Sequence, residues 1–244
     1  MIVIPMAGLS SRFFKAGYDL PKYMLEAHGE SLFDHSVNSF KGYFETTRFI
    51  FIVRDVYDTP TFVKNRVIAL GIKDFDIVIL EDETRGQAET VTIGLADYRD
   101  SDEPITIFNI DTFRPNFIYP ELEQLGDGYL EIFRGSGDNW SFVRPINEQS
   151  TEIDLTTEKN PISDLCCTGL YHFKNIQDYF NAYDYYLSLP KAQWEKGELY
   201  VAPLYNHLIK EGLIIHYHQI LRDEVIFCGT PDEYTFFISE QVEL

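Results

Sequence analysis

The first residues with the right types and spacing for chemistry form a loop after the opening apolar run Ile2–Met6. A loop of small residues at the carboxyl end of a buried strand presents backbone N–H groups to an anion. Arg12 adds a planar guanidinium, and Lys22, which follows Pro21, adds a compact ammonium. The sequence therefore predicts a triphosphate-binding site here. Its backbone donors come from the loop residues Ala7, Gly8, Leu9, Ser10 and Ser11.

This loop matches neither of the two common glycine-rich phosphate-binding sequences. The P-loop pattern GxxxxGK[ST] is absent, and so is the dinucleotide-binding pattern GxGxxG. The alternative is an ordinary turn whose Arg12 and Lys22 are only solvated. We favour the phosphate site because a predicted strand precedes the loop and two cations accompany it.

The loop and its Pro-Lys pair resemble the N-terminal signature of the sugar-1-phosphate nucleotidylyltransferases, the NDP-sugar pyrophosphorylases of the nucleotidyltransferase superfamily. That signature is a glycine-rich loop ending in Ser/Thr-Arg and followed by Pro-Lys; Ser10 stands where the family has its second glycine. The resemblance extends over nearly the whole chain, because further landmarks follow in the family's order. It implies that Arg12, Lys22 and one later lysine act in catalysis.

The segment 83–91 (ETRGQAETV) resembles the family's base-reading loop and the helix that follows it. The resemblance implies that small residues of this segment let the nucleobase approach the backbone, and it assigns nucleotide binding to Gly86 and Gln87. It also places a base-reading side chain about five residues before the glycine, at Glu81. The alternative for this segment is an ordinary first turn of a helix.

The run Phe108-Asn109-Ile110-Asp111 ends an apolar segment in a carboxylate. A carboxylate at the end of a central strand points into the crevice where α/β sheets bind ligands. Family members place their Mg²⁺-binding aspartate here, so the resemblance implies Asp111 as the metal ligand and Mg²⁺ as the cofactor. Magnesium needs few protein ligands when phosphate oxygens and water complete its shell. The alternative is a turn-capping aspartate.

Two weaker landmarks lie in the second half of the chain. Glu158-Lys159 resembles the family's Glu-Lys pair, in which the lysine binds the acceptor phosphate and the glutamate a substrate hydroxyl. Gly169 lies in a segment that resembles the next family strand, whose glycine leaves room for the substrate. The resemblance thus assigns acceptor binding to Glu158, Lys159 and Gly169, with Lys159 also catalytic.

The last landmark departs from the family pattern. Members commonly have Asp-x-Gly-Thr-Pro near the C-terminus, with the aspartate as a second metal ligand. Here the run 227–231 reads FCGTP, so Phe227 occupies that position. We therefore expect Asp111 to be the one protein carboxylate on the metal, with Asp223 and Glu224 too far along the chain to replace the missing aspartate.

The first half of the chain contains four continuous apolar runs. Segments with a helical pattern separate them. Such runs are typical of strands buried on both faces, and strand–helix repeats indicate βαβ units. The four runs are Ile2–Met6, Phe49–Val53, Ile77–Leu80 and Ile105–Ile110. The predicted helices are a segment capped by Ser31, Thr59–Leu70, Gly86–Tyr98, Ile176–Leu187, Glu198–Lys210 and one opened by Pro231.

We expect a three-layer α/β/α sandwich with a mainly parallel, mixed sheet, like that of nucleotide-diphospho-sugar transferases. One nucleotidyltransferase domain would cover residues 1–244, with a nucleotide-binding half at about 1–112 and an acceptor-binding half at about 113–244.

Composition narrows the partners. The chain of 244 residues has 20 Lys and Arg against 39 Asp and Glu, a net charge of −19, which argues against a nucleic-acid-binding surface. The three cysteines lack the spacing of a disulfide framework or a zinc site and fit reduced thiols in the cytoplasm. No apolar stretch is long enough for a membrane helix. The family resemblance implies an NTP and a phosphorylated small molecule as the partners.

The predicted reaction couples an NTP to a phosphorylated acceptor and releases pyrophosphate. CTP or GTP is favoured as the NTP, because an ionised Glu81 can only accept hydrogen bonds. A sugar 1-phosphate is the leading acceptor, with alditol phosphates, phosphocholine and phosphorylated amides open. Two alternatives share the fold: a glycosyltransferase, which would normally use an Asp-x-Asp metal motif, and a non-catalytic nucleotide-binding module, suggested by Phe227.

Overall fold

The computed structural model describes residues 1–239, which fold into two compact units. The first unit comprises residues 2–82, 108–118 and 223–239, and the second comprises Met1, 83–107 and 119–222. Neither unit is one continuous half of the chain. The expectation of a single domain made of two consecutive halves stays a prediction.

The sheet of the first unit consists of three parallel strands, with Phe49–Arg54 in the middle. Ile2 lies opposite Phe49 in one pair, and Phe49 lies opposite Phe75 in the other. The residues of the first strand and nearly all of the middle strand are buried, which explains their unbroken apolar runs. The strands are Ile2–Pro5, Phe49–Arg54 and Phe75–Leu80, as the sequence predicted to within two residues at each end.

Helices of the first unit begin and end largely where their capping residues predict. Ser31 caps Leu32–Asn38 in a reciprocal capping box with Asp34. The α-helix ends at Asn38, and a short 3-10 turn follows at Lys41–Tyr43. Thr59–Leu70 ends at Gly71, as predicted. The α-helices of this unit are Ser11–Lys15, Leu32–Asn38, Thr59–Leu70 and Pro231–Ser239, and its short strand pairs are Glu26–Ala27 with Glu30–Ser31 and Thr112–Phe113 with Ile226–Phe227.

The second unit is built around the fully buried strand Leu165–Phe173. This strand runs antiparallel to Gly128–Arg134 and Ser141–Pro145, whereas Ile215–Gln219 runs parallel to Gly128–Arg134. The pairing is therefore mixed. The strands are Ile105–Phe108, Gly128–Arg134, Ser141–Pro145, Ile153–Glu158, Leu165–Phe173 and Ile215–Gln219, and the α-helices are Gln87–Gly94, Ile176–Ser188 and Tyr205–Lys210.

The predicted helix Glu198–Lys210 is wrong in its first half. The α-helix begins only at Tyr205, after a 3-10 turn at Ala202–Leu204. Leu199 donates its backbone N–H to Arg85 O and accepts from Ala88 N, so its backbone groups are already bonded to a distant segment. Those long-range bonds replace the intrahelical bonds that the periodic sequence indicated.

Two other expectations need adjustment. The helix expected over Gly86–Tyr98 is shorter, Gln87–Gly94 followed by a 3-10 turn. The strand Ile153–Glu158 was not predicted, because its sequence IDLTTE lacks a continuous apolar run. Among residues 1–239, no helix has both the length and the apolar character needed to cross a bilayer.

Candidate active site

The loop 7–12 is anchored on one side and open on the other. Phe13 is buried, with its ring centroid 5.5 Å from that of Tyr18 and 6.2 Å from that of Tyr234. Gly8 and Arg12 are exposed, and Ser10 adopts a left-handed conformation, φ 51°, at the start of the helix Ser11–Lys15. The fold thus fixes the base of the loop and leaves its backbone donors and Arg12 accessible.

Lys22 is joined to this loop and to Asp111 at the same time. Its backbone N–H donates to Ser10 Oγ at 3.1 Å, and Pro21 before it is buried. Its ammonium donates to Asp111 Oδ2 at 2.5 Å. Three landmarks that lie far apart in sequence therefore meet in the first unit.

Two opposing effects act on the pKa of Asp111. Burial disfavours the ionised carboxylate, but the Lys22 ammonium, with Arg12 further away, holds the pKa of Asp111 below its usual range. Asp111 is consequently ionised at neutral pH. In this arrangement the charge of Lys22 is compensated by an adjacent carboxylate.

The segment 227–229 lies directly against Asp111. Phe227 pairs with Thr112 across a short antiparallel ladder, and Cys228 N donates to Asp111 O at 2.8 Å. A Cβ atom at Gly229 would stand 2.9 Å from Asp111 Oδ2 and 3.6 Å from Glu233 Oε2. The carboxylates of Asp111 and Glu233 therefore both border Gly229.

Glu233 was not recognised from the sequence as a neighbour of Asp111. Its Oε2 accepts from Thr230 N at 2.9 Å, and Thr230 Oγ1 accepts from Glu233 N at 3.3 Å. This is the capping box at the start of Pro231–Ser239. The spacing of Thr230 and Glu233 was a signal for the cap, although nothing in it indicated proximity to Asp111.

These oxygen donors fit Mg²⁺ as a partly protein-bound ion. Hard carboxylate oxygens suit magnesium, and phosphate oxygens with water can supply the remaining ligands. Within residues 1–239, no group of three or more His, Cys, Asp or Glu side chains is placed to hold a metal. The site therefore fits an ion that arrives with a nucleotide better than an ion caged by protein alone.

A cavity of about 390 Å³ adjoins the loop within the first unit. Gly8, Leu9 and Ser11 form one side of it. The rings of Phe14 and Tyr57, stacked with centroids 5.3 Å apart, form part of another. Its aromatic walls do not suit a triphosphate, so the exposed loop residues near Lys22 and Asp111 are the better candidate for it.

In the second unit, the backbone of Leu199 lies so close to Gly86 that only a glycine fits there. A Cβ atom there would lie 2.5 Å from Leu199 O, and its φ of 152° disfavours other residues. Gln87 follows as the first residue of its helix, and Arg85 pairs with Glu89 one turn away. The approach of Leu199 accounts for this glycine, while nucleobase binding by Gly86 and Gln87 stays a prediction. Glu81 is exposed directly after the strand Phe75–Leu80 in the first unit.

Lys159 follows the strand Ile153–Glu158 and points at an aromatic residue. Its Nζ donates to Tyr200 OH at 2.5 Å and lies 4.5 Å from the centroid of the Tyr200 ring. Glu158 Oε1 is 4.0 Å from the same ammonium. Sequence reasoning missed Tyr200, because it lies inside the segment predicted as a helix.

Glu158 is a buried carboxyl, 5% exposed. It accepts a hydrogen bond from Ser141 Oγ, and its backbone N–H donates to the carboxylate of Glu195. Burial raises the pKa of Glu158; Ser141 and Lys159 lower it, and the charges of Glu195 and Glu198 raise it further. This carboxyl therefore holds its proton to higher pH than an ordinary glutamate.

Gly169 has a local structural role. It adopts φ 96° inside the strand Leu165–Phe173, where the register with the neighbouring strand shifts between Cys167 and Tyr171. A residue with positive φ at such a shift is typical of a β-bulge. The bulge alone accounts for the glycine, and its contribution to acceptor binding stays a prediction.

Comparison with solved structures settles the family. No family model matches the chain, and no curated protein matches it either. A crystal structure of the nucleoside-diphosphate-sugar pyrophosphorylase from Vibrio cholerae RC9 has 62% sequence identity, covers 98% of this chain and 100% of its own, and superposes with a TM-score of 0.95. The chain belongs to the nucleoside-diphosphate-sugar pyrophosphorylase family.

More distant structures confirm the fold. The inositol-1-phosphate CTP transferase from T. maritima has 18% identity over 100% of this chain and 97% of its own, with a TM-score of 0.69. A UDP-glucose pyrophosphorylase complexed with UDP-glucose has 15% identity over 97% and 96%, with a TM-score of 0.71. The expected α/β fold with a mixed, mainly parallel central sheet and flanking helices is confirmed.

Family membership also confirms the class of activity. The chain is a sugar-phosphate nucleotidyltransferase, an enzyme of nucleotide-sugar biosynthesis. This selects the nucleotidyltransferase hypothesis over the glycosyltransferase and over the non-catalytic module. Phe227 in place of the usual aspartate is thus a variation within an enzyme family.

Proposed function

We propose that this pyrophosphorylase couples CTP to a sugar 1-phosphate with the aid of Mg²⁺. The observation that best supports the site is the meeting of the loop, Lys22 and Asp111 through Ser10 Oγ and the 2.5 Å ion pair. An oxygen of the acceptor phosphate attacks the α-phosphorus of CTP in line, and pyrophosphate leaves. No covalent enzyme intermediate is required, so catalysis consists of positioning and charge stabilisation.

On the nucleotide side, the exposed backbone of residues 8–12 and Arg12 bind the triphosphate. Lys22 stabilises the charge that develops at the α-phosphate. Asp111 would hold Mg²⁺, with Glu233 bordering the same position. Magnesium, when bound, neutralises charge on the phosphate oxygens. Asp111 would share its carboxylate between Lys22 and the ion, which would leave the Lys22 ammonium freer to reach the phosphate.

On the acceptor side, Lys159 binds the acceptor phosphate, and Glu158 contacts a hydroxyl of the sugar. A carboxyl with a raised pKa can donate as well as accept a hydrogen bond when it is protonated, which suits a hydroxyl partner. The acceptor already carries an ionised phosphate. Attack therefore needs no general base, which agrees with the lack of a histidine or cysteine among the residues assigned to the site.

Base preference depends on Glu81 in this proposal. An ionised carboxylate only accepts hydrogen bonds. Cytosine offers it the N4 amino group as a donor, and guanine offers N1–H and the N2 amino group. Uracil and thymine instead present the O4 acceptor. Glu81 therefore favours CTP first and GTP second.

Pyrophosphate release with four NTPs against a panel of hexose, heptose and alditol phosphates and phosphocholine tests this proposal. We expect the fastest turnover with CTP and a sugar 1-phosphate. Glu81→Gln introduces an amide donor and should shift the preference toward UTP. Asp82→Asn, at the neighbouring exposed residue, should not. Efficient use of UTP or dTTP by the unaltered enzyme would contradict the assignment of Glu81.

A further inference from the structure

The ammonium of Lys159 is fixed by two different interactions with one residue. Tyr200 provides its hydroxyl oxygen at 2.5 Å, and the centroid of its ring lies 4.5 Å from the ammonium. A lysine side chain is otherwise a flexible stem with a mobile charge. The hydrogen bond sets the direction of the ammonium, and the nearby aromatic ring limits how far it can move.

The backbone under Lys159 is held in an uncommon conformation as well. Its φ of 52° is in the left-handed region, which non-glycine residues rarely adopt. Lys159 N donates to Trp140 O at 2.8 Å, and Thr157 Oγ1 donates to Asn160 O at 2.6 Å, which together define the turn. Strained residues that are fixed by their surroundings concentrate at functional sites.

Tyr200 holds the lysine without neutralising it. A phenol is uncharged at neutral pH, and the nearest oxygen of Glu158 is 4.0 Å away on a carboxyl whose pKa is raised by burial. An ammonium has three N–H donors, of which Tyr200 takes one. The charge and the other donors of Lys159 therefore suit a phosphate.

The residue before Tyr200 is tied to a different part of the second unit. Leu199 N donates to Arg85 O at 3.0 Å, and Leu199 O accepts from Ala88 N at 2.8 Å. A Cβ atom on Gly86 would lie only 2.5–2.8 Å from the Leu199 backbone. Two consecutive residues thus contact the loop 85–88 on one side and Lys159 on the other.

We propose that Tyr200 is the positioning residue of Lys159 and that the segment Leu199–Tyr200 links the placement of this lysine to the loop 85–88. The proposal rests on the proposed function, in which Lys159 binds the acceptor phosphate. It predicts that the hydroxyl and the ring of Tyr200 have separate effects on acceptor binding. It also predicts that a change at Gly86 reaches the acceptor through Leu199.

Steady-state kinetics with the best acceptor of the panel test the effect on the reaction. Tyr200→Phe should raise the acceptor KM about tenfold through loss of the hydroxyl. Tyr200→Leu should raise it by a further factor of about 3 through loss of the ring. The KM for the NTP should change little in both variants. Tyr185→Phe is the matched control, because Tyr185 contacts Lys210 at the longer distance of 3.4 Å.

Gly86→Ala tests the link, since its methyl group must displace Leu199. This variant should raise the acceptor KM in addition to any change in the KM for the NTP. Combined with Tyr200→Leu, its effect on the acceptor KM should be less than additive, because residues that act through one contact couple. Full additivity would show that the loop does not act through Leu199–Tyr200.

Nuclear magnetic resonance of lysines dimethylated with ¹³C tests the contact without turnover, since methylation keeps the charge. Lys159→Arg identifies the Lys159 signal. The ring of Tyr200 should displace that signal from those of exposed lysines in the wild type and in Tyr200→Phe, but not in Tyr200→Leu. An unchanged Lys159 signal in Tyr200→Leu would overturn the positioning role.

Inorganic phosphate added to the same samples separates this proposal from the proposed function. We expect phosphate to move the Lys159 signal in the wild type and to do so at higher concentration in Tyr200→Leu. If phosphate leaves the Lys159 signal unmoved while the Tyr200 ring effect persists, the acceptor role of Lys159 fails and the contact with Tyr200 is supported.

Discussion

Two lysines, one in each unit, are held in opposite electrostatic surroundings. Lys22 donates at 2.5 Å to the ionised Asp111, whose pKa is kept low by that ammonium despite burial. Lys159 donates at 2.5 Å to a neutral phenol, and its carboxyl neighbour Glu158 has a raised pKa. Lys22 thus has an ionised carboxylate at hydrogen-bonding distance, whereas Lys159 is hydrogen-bonded to a phenol and its nearest carboxyl oxygen, on Glu158, lies 4.0 Å away.

This difference indicates how each lysine meets its substrate. In the proposed function, Lys22 must exchange its contact with Asp111 for one with the nucleotide, so we expect its action to depend on metal and nucleotide. In the same proposal Lys159, whose hydrogen bond goes to a phenol, needs no such exchange before it meets the acceptor phosphate. Removing Lys22 or Asp111 should therefore affect turnover, while removing Lys159 should affect acceptor affinity.

Asp111→Asn should have the largest effect. Loss of the carboxylate removes the proposed metal ligand and the partner of Lys22, so kcat should fall by about a thousandfold or more. Pyrophosphate release at saturating substrates measures this. Asp223→Asn is the control and should be mild. Equal damage from Asp223→Asn would mean that a second metal ligand has moved to that position.

Lys22→Ala should lower kcat by about 10²–10³, with little change in the KM for the NTP. The reason is that Lys22 contributes mainly where charge develops in the transition state. Lys41→Ala, at an exposed lysine of the same unit, should leave both constants unchanged. A near-normal kcat in Lys22→Ala would reduce this residue to a structural partner of Asp111.

Lys159→Ala should raise the acceptor KM by about 10- to 100-fold, the loss expected for a hydrogen bond to a charged group. The KM for the NTP should stay nearly constant. Initial rates with each substrate varied in turn measure both constants, and Lys174→Ala at an exposed position is the control. Equal loss of affinity for both substrates would remove the contrast between the two lysines.

Glu158→Gln should have the smallest effect and should act on stability. Because burial raises the pKa of Glu158, the folded state binds more protons than the unfolded chain, and the free energy of unfolding falls as pH rises through that range. Glutamine cannot ionise, so it removes the free-energy cost of a buried charged carboxylate at high pH. Its amide oxygen can still accept the hydrogen bond from Ser141. Each kcal/mol gained corresponds to about 2–4 °C in Tm for a chain of this size.

Thermal unfolding at several pH values measures this effect. The variant should unfold at a higher temperature than the wild type near pH 8, and the difference should shrink toward pH 4. Glu148→Gln, at an exposed turn, should show no such dependence. A constant difference at all pH values would indicate that packing rather than the proton on Glu158 is responsible.

The sequence by itself determined the parallel strands of the first unit, the cap at Ser31, the start of the last helix at Pro231, and the family. These features follow from local patterns: apolar runs that must be buried, side chains that satisfy the first turn of a helix, and motif residues in a fixed order. The same local patterns indicated Lys22, Asp111 and Lys159 as candidates. They gave no information on what each candidate contacts.

Only the tertiary structure decided those contacts. Glu233 and Asp111, 122 residues apart in sequence, both border Gly229 because the chain at Gly229 packs against the Asp111 carboxylate. Tyr200 reaches Lys159 because Leu199 bonds to the loop 85–88 and prevents the helix that its sequence favours. Long-range backbone bonds override local periodicity wherever they satisfy the same N–H and C=O groups, and no pattern of neighbouring residues records them.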